Sequence, residues 1–251
     1  MNNNTHANKA NSYDLGRPDY PSDFFNYLYN EIGFNKNNTI ADIGCGTGKI
    51  TRHFLEFGNE VVAIEPDGDM LNLANERLTI YPNYTSFQKA AEATDIETGS
   101  IDHIFCGNAY HWFDRKKVVP EFQRILRTDG KIVLATLGNG PTSYEGELSE
   151  IIKNFKKSIP NKKLDMSSPF ISGLFSETVF SYTIFQTFDE FLHGMLSASF
   201  TPSVSDIEYE PFCKAIKDLF DKYKINDKLE GTMRLHCMIG KAEHLNLNDD
   251  I

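Results

Sequence analysis

The stretch Thr39-Ile40-Ala41-Asp42-Ile43-Gly44-Cys45-Gly46-Thr47-Gly48-Lys49-Ile50-Thr51 decides the fold of this chain. A short apolar run leads into three glycines at alternate positions, and apolar residues then recur at helical spacing. This order predicts a β-strand, a tight turn and the start of a helix. Glycine lets a ligand approach the backbone closely, and a helix N-terminus offers unpaired N–H groups. The turn is therefore a candidate site for a polar, ribose-bearing ligand, although the glycines could also serve only to form the turn.

The glycine spacing departs from two phosphate-binding patterns. The dinucleotide fingerprint G-x-G-x-x-G needs its third glycine where this chain has Lys49, and here that glycine comes one residue earlier, at Gly48. The P-loop pattern G-x-x-x-x-G-K-[ST] also fails, because Gly44 lies four residues before Gly48 instead of five and Ile50 replaces Ser or Thr. Neither phosphate-binding motif is satisfied.

A carboxylate follows the next predicted strand. Val61-Val62-Ala63-Ile64 is a continuous apolar run, which is typical of a strand buried on both faces of a parallel sheet. The run ends at Glu65, about 20 residues after the first glycine, where nucleotide-binding folds place the acid that binds ribose hydroxyls. An ordinary loop acid is the alternative, but the glycine turn ahead of it favours a role in ligand binding.

A second polar and aromatic stretch, Gly107-Asn108-Ala109-Tyr110-His111-Trp112-Phe113-Asp114, follows the strand predicted over residues 100–106. Ligands bind at the carboxyl ends of the strands in open α/β sheets, so we expect this stretch at the same edge as the glycine turn. It holds the single tryptophan of the chain, with a histidine beside it. His111 could act as a base, position an acceptor, or only hold the loop through a hydrogen bond.

Asp42-Ile43-Gly44-Cys45-Gly46-Thr47-Gly48 resembles the first motif of the class I S-adenosylmethionine-dependent methyltransferases. The resemblance implies an α/β fold with a doubly wound, mostly parallel, Rossmann-like sheet of seven strands. It also implies S-adenosyl-L-methionine as cofactor and S-adenosyl-L-homocysteine as product. The residues that match cofactor-binding positions of the family are Asp42, Gly44, Cys45, Gly46, Gly48, Glu65, Pro66, Met70, Ala91, Glu92, Asn108 and Ala109.

Two further motifs resemble one subgroup of that family, the trans-aconitate methyltransferase-like proteins. They are Arg17-Pro18-x-Tyr20-Pro21 and the Ala-x-His-Trp-Phe-Asp segment that begins at Ala109. The resemblance favours a small organic acid as acceptor, and it implies substrate contacts from Tyr13, Arg17, Tyr20, His111 and Trp112. Arg17, Arg115 and the lysines of a later segment are candidate anchors for an acceptor carboxylate.

The same resemblance predicts the organisation of the chain. Residues 1–12 are polar and rich in asparagine, and we expect them to be a disordered lead-in. Residues 13–251 are expected to form a single methyltransferase domain. After the predicted fifth strand, residues 141–175 are polar and interrupted by prolines, which indicates an inserted segment that covers the substrate site.

Hydrophobic spacing and turn residues predict the other elements. We expect Ser22 to cap a helix over residues 23–32 that ends at Gly33, and Asp114 to cap the helix after the His-Trp stretch. A glycine turn at Gly130 should separate that helix from the fifth strand. Further helices are predicted over residues 49–57, 66–78, 188–196 and 207–223, and further strands over residues 84–89, 179–185 and 228–241.

Charge and cysteine usage limit the partners and the compartment. A net charge of −10 argues against an extended nucleic-acid surface and favours a small-molecule substrate. The four cysteines are scattered without metal-ligand spacing, so no metal is expected and reduced thiols in a cytoplasmic protein are predicted. We find no secretory signal and no run of about 18 apolar residues, which indicates no membrane association. A monomer or homodimer is expected.

These observations favour methyl transfer to a carboxylate or hydroxyl of a small molecule. Two other classes remain open at this stage. A nicotinamide-dependent oxidoreductase would share the strand–glycine–helix pattern and the ribose acid, but the glycine spacing and the absence of a second mononucleotide half count against it. A non-catalytic S-adenosylmethionine-binding protein would keep the glycine turn and Glu65 without an acceptor pocket.

Overall fold

The computed structural model of the protein describes residues 14–156, 168–198 and 200–246. Within these ranges, seven strands form one sheet in the order β3-β2-β1-β4-β5-β7-β6. Strand β1 pairs in parallel with β2 and β4, β2 pairs in parallel with β3, and β4 with β5, while one antiparallel hairpin completes the sheet. The strands are β1 (Thr39–Ile43), β2 (Glu60–Ile64), β3 (Tyr84–Phe87), β4 (Ile101–Gly107), β5 (Leu126–Asn139), β6 (Phe175–Gln186) and β7 (Leu229–Gly240).

Helices lie on both sides of this sheet, as the doubly wound prediction requires. The α-helices of the described ranges are α1 (Ser22–Tyr27), α2 (Lys49–Glu56), α3 (Gly68–Leu78), α4 (Arg115–Ile125), α5 (Glu145–Phe155), α6 (Phe188–Leu196) and α7 (Tyr209–Tyr223). The predicted mostly parallel, seven-stranded α/β fold is confirmed. Among the helices of the described ranges, none is both long and apolar enough to cross a lipid bilayer.

The start of α1 differs from the prediction. Pro21 takes the N-cap position with extended backbone, and its carbonyl accepts the N–H of Phe24 at 3.1 Å. Ser22 is therefore already helical and makes no capping hydrogen bond, so the predicted Ser22 cap is wrong. A π-helical turn, Leu28–Ile32, continues the helix, and Gly33 ends it with φ of 94° as expected.

The predicted glycine turn before β5 is also wrong. Helix α4 ends at Ile125 and β5 begins with the next residue. The pairing with β4 shifts instead, because Leu126 lies opposite Ile101 while Lys131 lies opposite His103. A Cβ on Gly130 would meet the Asp102 carbonyl oxygen at 3.0 Å. Gly130 thus lies at an irregularity in the pairing of β5 with β4, where the neighbouring atoms leave no room for a side chain.

The described part of the chain divides into two compact units by its contacts: the described residues of 1–18, 138–163 and 181–234 form one, and those of 19–137, 164–180 and 235–251 form the other. We call the second the sheet unit and the first the helical unit. The sheet unit buries a large apolar cluster that includes Ile43, Ile104 and Phe122. The helical unit has its own cluster from α5, α6 and α7, including Phe191, Phe212 and Phe220.

The predicted domain boundaries stay predictions. Residues 1–12 and most of the middle of the proposed cover segment, residues 157–167, lie outside the described residues. Within that segment the structure shows helix α5 and Phe175, the first residue of β6.

Candidate functional site

The ends of three neighbouring strands bring the predicted site residues of the sheet unit together. Ile43 of β1 lies opposite Ile64 of β2, and Asp42 lies opposite Phe105 of β4. The residues that follow these strands are the glycine turn, Glu65 and the His-Trp stretch. The N–H groups of Gly44 and Cys45 both donate to the Ile64 carbonyl, at 2.8 and 3.0 Å, and so fix the turn against the end of β2.

Each glycine of the turn has positive φ, but each meets different surroundings. The φ values are 76° at Gly44, 58° at Gly46 and 77° at Gly48. A Cβ on Gly44 would lie 2.5 Å from the Cβ of Ala109, and one on Gly48 would lie 2.5 Å from Leu78. A Cβ on Gly46 would meet nothing within 4 Å among the described residues beyond its chain neighbours. Gly44 therefore permits contact with the His-Trp stretch, Gly48 permits packing of α2 on α3, and Gly46 borders the open space.

Glu65 holds the glycine turn through its carboxylate. Its Oε2 accepts the N–H of Gly46 at 2.9 Å, and its Oε1 accepts the N–H of Asp67 at 3.0 Å. The residue is 9% exposed, and burial raises the pKa of its carboxyl above the ordinary value. Since each carboxylate oxygen offers more than one lone pair, Glu65 can bind a hydroxyl while it keeps both backbone contacts.

Asp42 lies fully buried at the end of β1, beneath the turn. Its Oδ2 accepts the hydroxyl of Thr51 at 2.5 Å, and within the described residues its Oδ1 has no hydrogen-bond partner. Burial, helped by the nearby Glu65, raises the pKa of Asp42 to about 7. Thr51 was not among the predicted site residues. The sequence signal that could have identified Thr51 is its place on the first turn of α2, nine residues after Asp42.

The remaining cofactor candidates near β2 lie around the start of α3. Asp67 caps this helix by accepting the N–H groups of Asp69 and Met70. Met70 is half-buried, and Pro66 is exposed with its carbonyl accepting the side-chain N–H of Gln88 at 3.2 Å. Cys45 is 7% exposed, and burial raises the pKa of its thiol well above the ordinary value. Cys45 is therefore a neutral packing residue of the turn.

The loop after β3 carries Ala91 and Glu92. Ala91 is buried in the apolar cluster of the sheet unit, so only its backbone is available to a ligand. The Oε1 of Glu92 accepts the backbone N–H of Asp114, the cap of α4, at 2.9 Å. The loop after β3 is thus bonded to the end of the His-Trp stretch.

The His-Trp stretch folds into a short turn of 3₁₀ helix over Tyr110–Trp112. Asn108 precedes it with φ of 54°, and its side-chain oxygen accepts the N–H of Leu137 at 3.0 Å. His111 is half-buried, and burial lowers the pKa of its imidazole below the ordinary 6.5. Trp112 is 50% exposed, with its ring centroid 5.2 Å from that of His111.

Of the predicted substrate residues, Tyr20 reaches the same edge of the sheet. A Cβ on Gly107, the last residue of β4, would lie 2.5 Å from the Tyr20 hydroxyl, and the Tyr20 ring packs on Phe105. Tyr13 lies outside the described residues. Arg17 is half-buried and belongs to the helical unit.

Arg115 does not fit the predicted role of an exposed anchor. Its side chain is only 3% exposed, lies 5.5 Å from the centre of the Tyr110 ring, and donates to the Ser168 carbonyl at 3.2 Å. These contacts place it in the support of the His-Trp turn. The expectation that Arg115 anchors an acceptor is therefore not supported by the geometry, because the guanidinium is enclosed.

A cavity of about 800 Å³ opens at the opposite, amino end of the strands. It is lined by Gly33, Asp102, His103, Arg127 and Lys131, among others. Arg127 pairs with Asp102, and the Lys131 ammonium donates to a backbone carbonyl, so these charges are already engaged. The cavity carries none of the predicted site residues.

Comparison with known proteins gives one family match. Residues 41–134 match the family described as "Methyltransferase domain". This range contains the glycine turn, Glu65, the loop after β3 and the His-Trp stretch.

Two relatives illustrate the sequence similarity. The chain is 32% identical over 123 residues to the uncharacterized methyltransferase C25B8.09 of Schizosaccharomyces pombe, covering 49% of this chain and 48% of that protein. It is 31% identical over 142 residues to the uncharacterized methyltransferase Rv3342 of Mycobacterium tuberculosis, covering 56% of each. The matching region thus spans about half the length of these relatives.

Solved structures show the same fold. A structure from Anaeromyxobacter dehalogenans, described as a candidate type II methyltransferase, superposes with a TM-score of 0.68 at 20% identity, covering 90% of this chain and 98% of that one. The phosphoethanolamine N-methyltransferase 2 of Haemonchus contortus, solved with phosphomonomethylethanolamine and S-adenosylhomocysteine, gives 0.50 at 17% identity, covering 93% of this chain and 57% of that one. At these identities the likeness concerns the fold.

Proposed function

We propose that this chain, whose residues 41–134 match the methyltransferase-domain family, transfers a methyl group from S-adenosyl-L-methionine to a small-molecule acceptor. The observation that carries the proposal is the turn at Gly46. Among the described residues beyond its chain neighbours, nothing lies within 4 Å of the position that a Cβ would take, while its N–H is held by the buried Glu65 carboxylate. A nucleoside can approach such a turn closely and find a hydroxyl acceptor beside it.

The lone pairs that Glu65 keeps beside its two backbone contacts support a role in binding ribose hydroxyls. We propose that the backbone of the loop at Ala91 and Glu92 flanks the adenine. The Asp42 carboxyl adds a negative field below the turn once ionised, which suits the cationic sulfonium and ammonium groups. Met70 and Ala109 supply apolar contacts. We propose the remaining predicted residues, Pro66 and Asn108, as backbone supports at the rim.

When bound, the cofactor supplies an activated methyl group that an aligned nucleophile can accept. The protein's part is to hold the acceptor in line and to exclude competing geometries. Alignment of two reactants can lower a barrier by roughly 7–11 kcal/mol, so a strong base is not required in every case. We propose Tyr20, His111 and Trp112 as the acceptor side of the site within the sheet unit.

The state of His111 matters for the class of acceptor. Because burial lowers its pKa, the imidazole is neutral at pH 7 and can either accept a proton or donate one hydrogen bond. A carboxylate acceptor is already ionised at that pH and needs only to be positioned. A hydroxyl acceptor would need its proton removed, and His111 would then be the base.

We propose a small organic acid as the acceptor. The support is the pair of motifs at Arg17–Pro21 and Ala109–Asp114, together with a net charge of −10 that disfavours nucleic acid. The test is transfer of labelled methyl from S-adenosyl-L-methionine to a panel of di- and tricarboxylic acids, phenols and amines. Label in the acids supports the proposal. Label only in phenols or amines contradicts the acceptor class, and label in none would leave binding without transfer and favour the non-catalytic alternative.

A further inference from the structure

The loop after β3 is attached to helix α4 at two separated places. At the near end, close to the glycine turn, the Glu92 carboxylate accepts the N–H of Asp114. At the far end, Glu121 accepts both the N–H and the hydroxyl of Thr94, at 2.8 and 2.6 Å. Arg124 adds a contact to the Ile96 carbonyl at 2.7 Å. The far attachment fixes the loop to the helix, whereas the near one joins it to the His-Trp turn.

The near attachment bears directly on Trp112. Asp114 begins α4, and the N–H groups of Trp112 and Phe113 close the preceding turn onto Ala109 and Tyr110. Ala109 in turn touches Gly44 of the glycine turn. One short turn thus has the cofactor-side glycine loop on one flank and the Glu92 carboxylate on the other, so a displacement of either reaches Trp112.

We propose that Glu92 is a positioning residue that couples the loop after β3 to the His111–Trp112 turn, so that occupancy of the cofactor site sets the conformation of the acceptor side. This inference rests on the proposed function for its ligand. Glu92 acts here through the backbone N–H of Asp114. If Glu92 only contacted the cofactor, its substitution would change the cofactor affinity and leave the response of Trp112 at saturation unchanged.

The single tryptophan of the chain makes the coupling measurable. Emission excited selectively at the indole should change in wavelength or intensity when S-adenosylhomocysteine is added to the wild-type protein. Glu92→Ala should lose most of this change at saturating S-adenosylhomocysteine, with binding itself followed by calorimetry. Glu92→Gln should restore it, because the amide oxygen can accept the same N–H.

Glu97→Ala is the matched control. It removes one negative charge from the same loop at an exposed position, and its Trp112 response should equal that of the wild-type protein. Coupling through Glu92 is overturned if Glu92→Ala keeps the full response, or if Glu97→Ala loses as much. A wild-type protein that binds S-adenosylhomocysteine without any change at Trp112 overturns it as well, with the proposed function intact.

Absence of calorimetric binding to the wild-type protein would overturn the proposed function and the coupling together. If Glu92→Ala does not fold, hydrogen exchange at the Asp114 amide of the wild-type protein decides. The amide should exchange slowly because it is bonded to Glu92, and more slowly still with S-adenosylhomocysteine present. Exchange as fast as that of an open loop amide, with and without the ligand, would overturn the coupling.

Discussion

At the scale of single residues, two buried carboxyls with different partners shape the glycine turn. Glu65 accepts two backbone N–H groups of the turns that border it, whereas Asp42 has one oxygen bonded to Thr51 and, within the described residues, one without a hydrogen-bond partner. At Glu65 the two N–H groups oppose the effect of burial, which still raises the pKa of the carboxyl, whereas at Asp42 only the Thr51 hydroxyl opposes it and the pKa rises to about 7. The two carboxyls should therefore respond differently to substitution and to pH.

Substitution of Glu65 should act on cofactor binding. Glu65→Ala leaves the N–H of Gly46 without its acceptor and removes the ribose partner, which costs about 1–3 kcal/mol of binding and weakens S-adenosylhomocysteine affinity by roughly 10- to 100-fold. Glu60→Ala, an exposed acid at the other end of the same strand, is the control and should bind as the wild-type protein does. Calorimetric titration measures the S-adenosylhomocysteine affinity of the wild-type protein and of both variants. Equal affinities would remove Glu65 from the site.

The raised pKa of Asp42 predicts how the free energy of unfolding depends on pH. Its pKa is about 7 in the folded protein and near 3.8 in the unfolded chain, so between these values the folded state binds more protons. The free energy of unfolding should therefore fall as pH rises from about 4 to about 7, by up to a few kcal/mol, and then stay level.

The test of this dependence is urea unfolding of wild-type protein and Asp42→Asn at pH 5 and pH 8. Asparagine keeps an acceptor for Thr51 and has no proton to lose, so its stability should fall less over this interval. The difference between the two proteins isolates Asp42 from the other titrating groups. Parallel curves for the two proteins would show that Asp42 is ionised throughout.

His111 is predicted to position the acceptor. With an organic acid as acceptor, His111→Ala should raise KM by about tenfold, the value of one hydrogen bond, and leave kcat within about threefold. His236→Ala, which alters a histidine on β7, serves as the control. A fall in kcat by two orders of magnitude, with loss of the acidic limb of the pH profile, would instead make His111 the base.

At the scale of elements, the sequence predicted the type and order of the helices and strands well, but it predicted the local geometry of their ends and turns less well. The helix over Phe188–Leu196 has the predicted bounds, and the structure shows a capping box of Thr187 and Glu190 at its start. Ser22 was mistaken for a cap because Pro21 already provides the extended backbone that a cap needs. The irregular pairing at Gly130 depends on the neighbouring strand, which no local pattern shows.

The three glycines of the turn give a prediction at this scale, because their surroundings differ. Gly46→Ala should abolish S-adenosylhomocysteine binding with a small loss of stability, since its methyl group enters the open space beside Glu65. Gly48→Ala should lower the melting temperature more, because its methyl group meets Leu78 of α3 at 2.5 Å. Left-handed backbone costs each alanine about 1–2 kcal/mol.

Gly99→Ala is the matched control for the strain alone. Gly99 also has positive φ, of 64°, and in the described part of the chain an added Cβ would meet nothing within 4 Å beyond its chain neighbours. It lies in the loop before β4, at the other end of the strands. It should lose as much stability as Gly46→Ala and bind the ligand normally. If both variants bind equally well, Gly46 does not border the ligand.

At the scale of the whole molecule, the fold could be predicted from the sequence because the strands of a parallel sheet are continuous apolar runs that are followed by recognisable turns. The same logic placed Gly44, Glu65 and Ala109 at one edge, and the contacts between Gly46 and Glu65 and between Gly44 and Ala109 bear this out. The sequence pattern could not predict which way the buried side chains point. Arg115 was a candidate anchor for an acceptor carboxylate, but its side chain is enclosed by Tyr110 and the Ser168 carbonyl, 53 residues away in sequence.

The measurement that tests the central claim most directly is calorimetric titration of the purified protein with S-adenosylhomocysteine, with NADH as the control. The account predicts saturable binding of S-adenosylhomocysteine at one site per chain and no heat of binding with NADH. Binding of NADH in place of S-adenosylhomocysteine would contradict the account and favour an oxidoreductase.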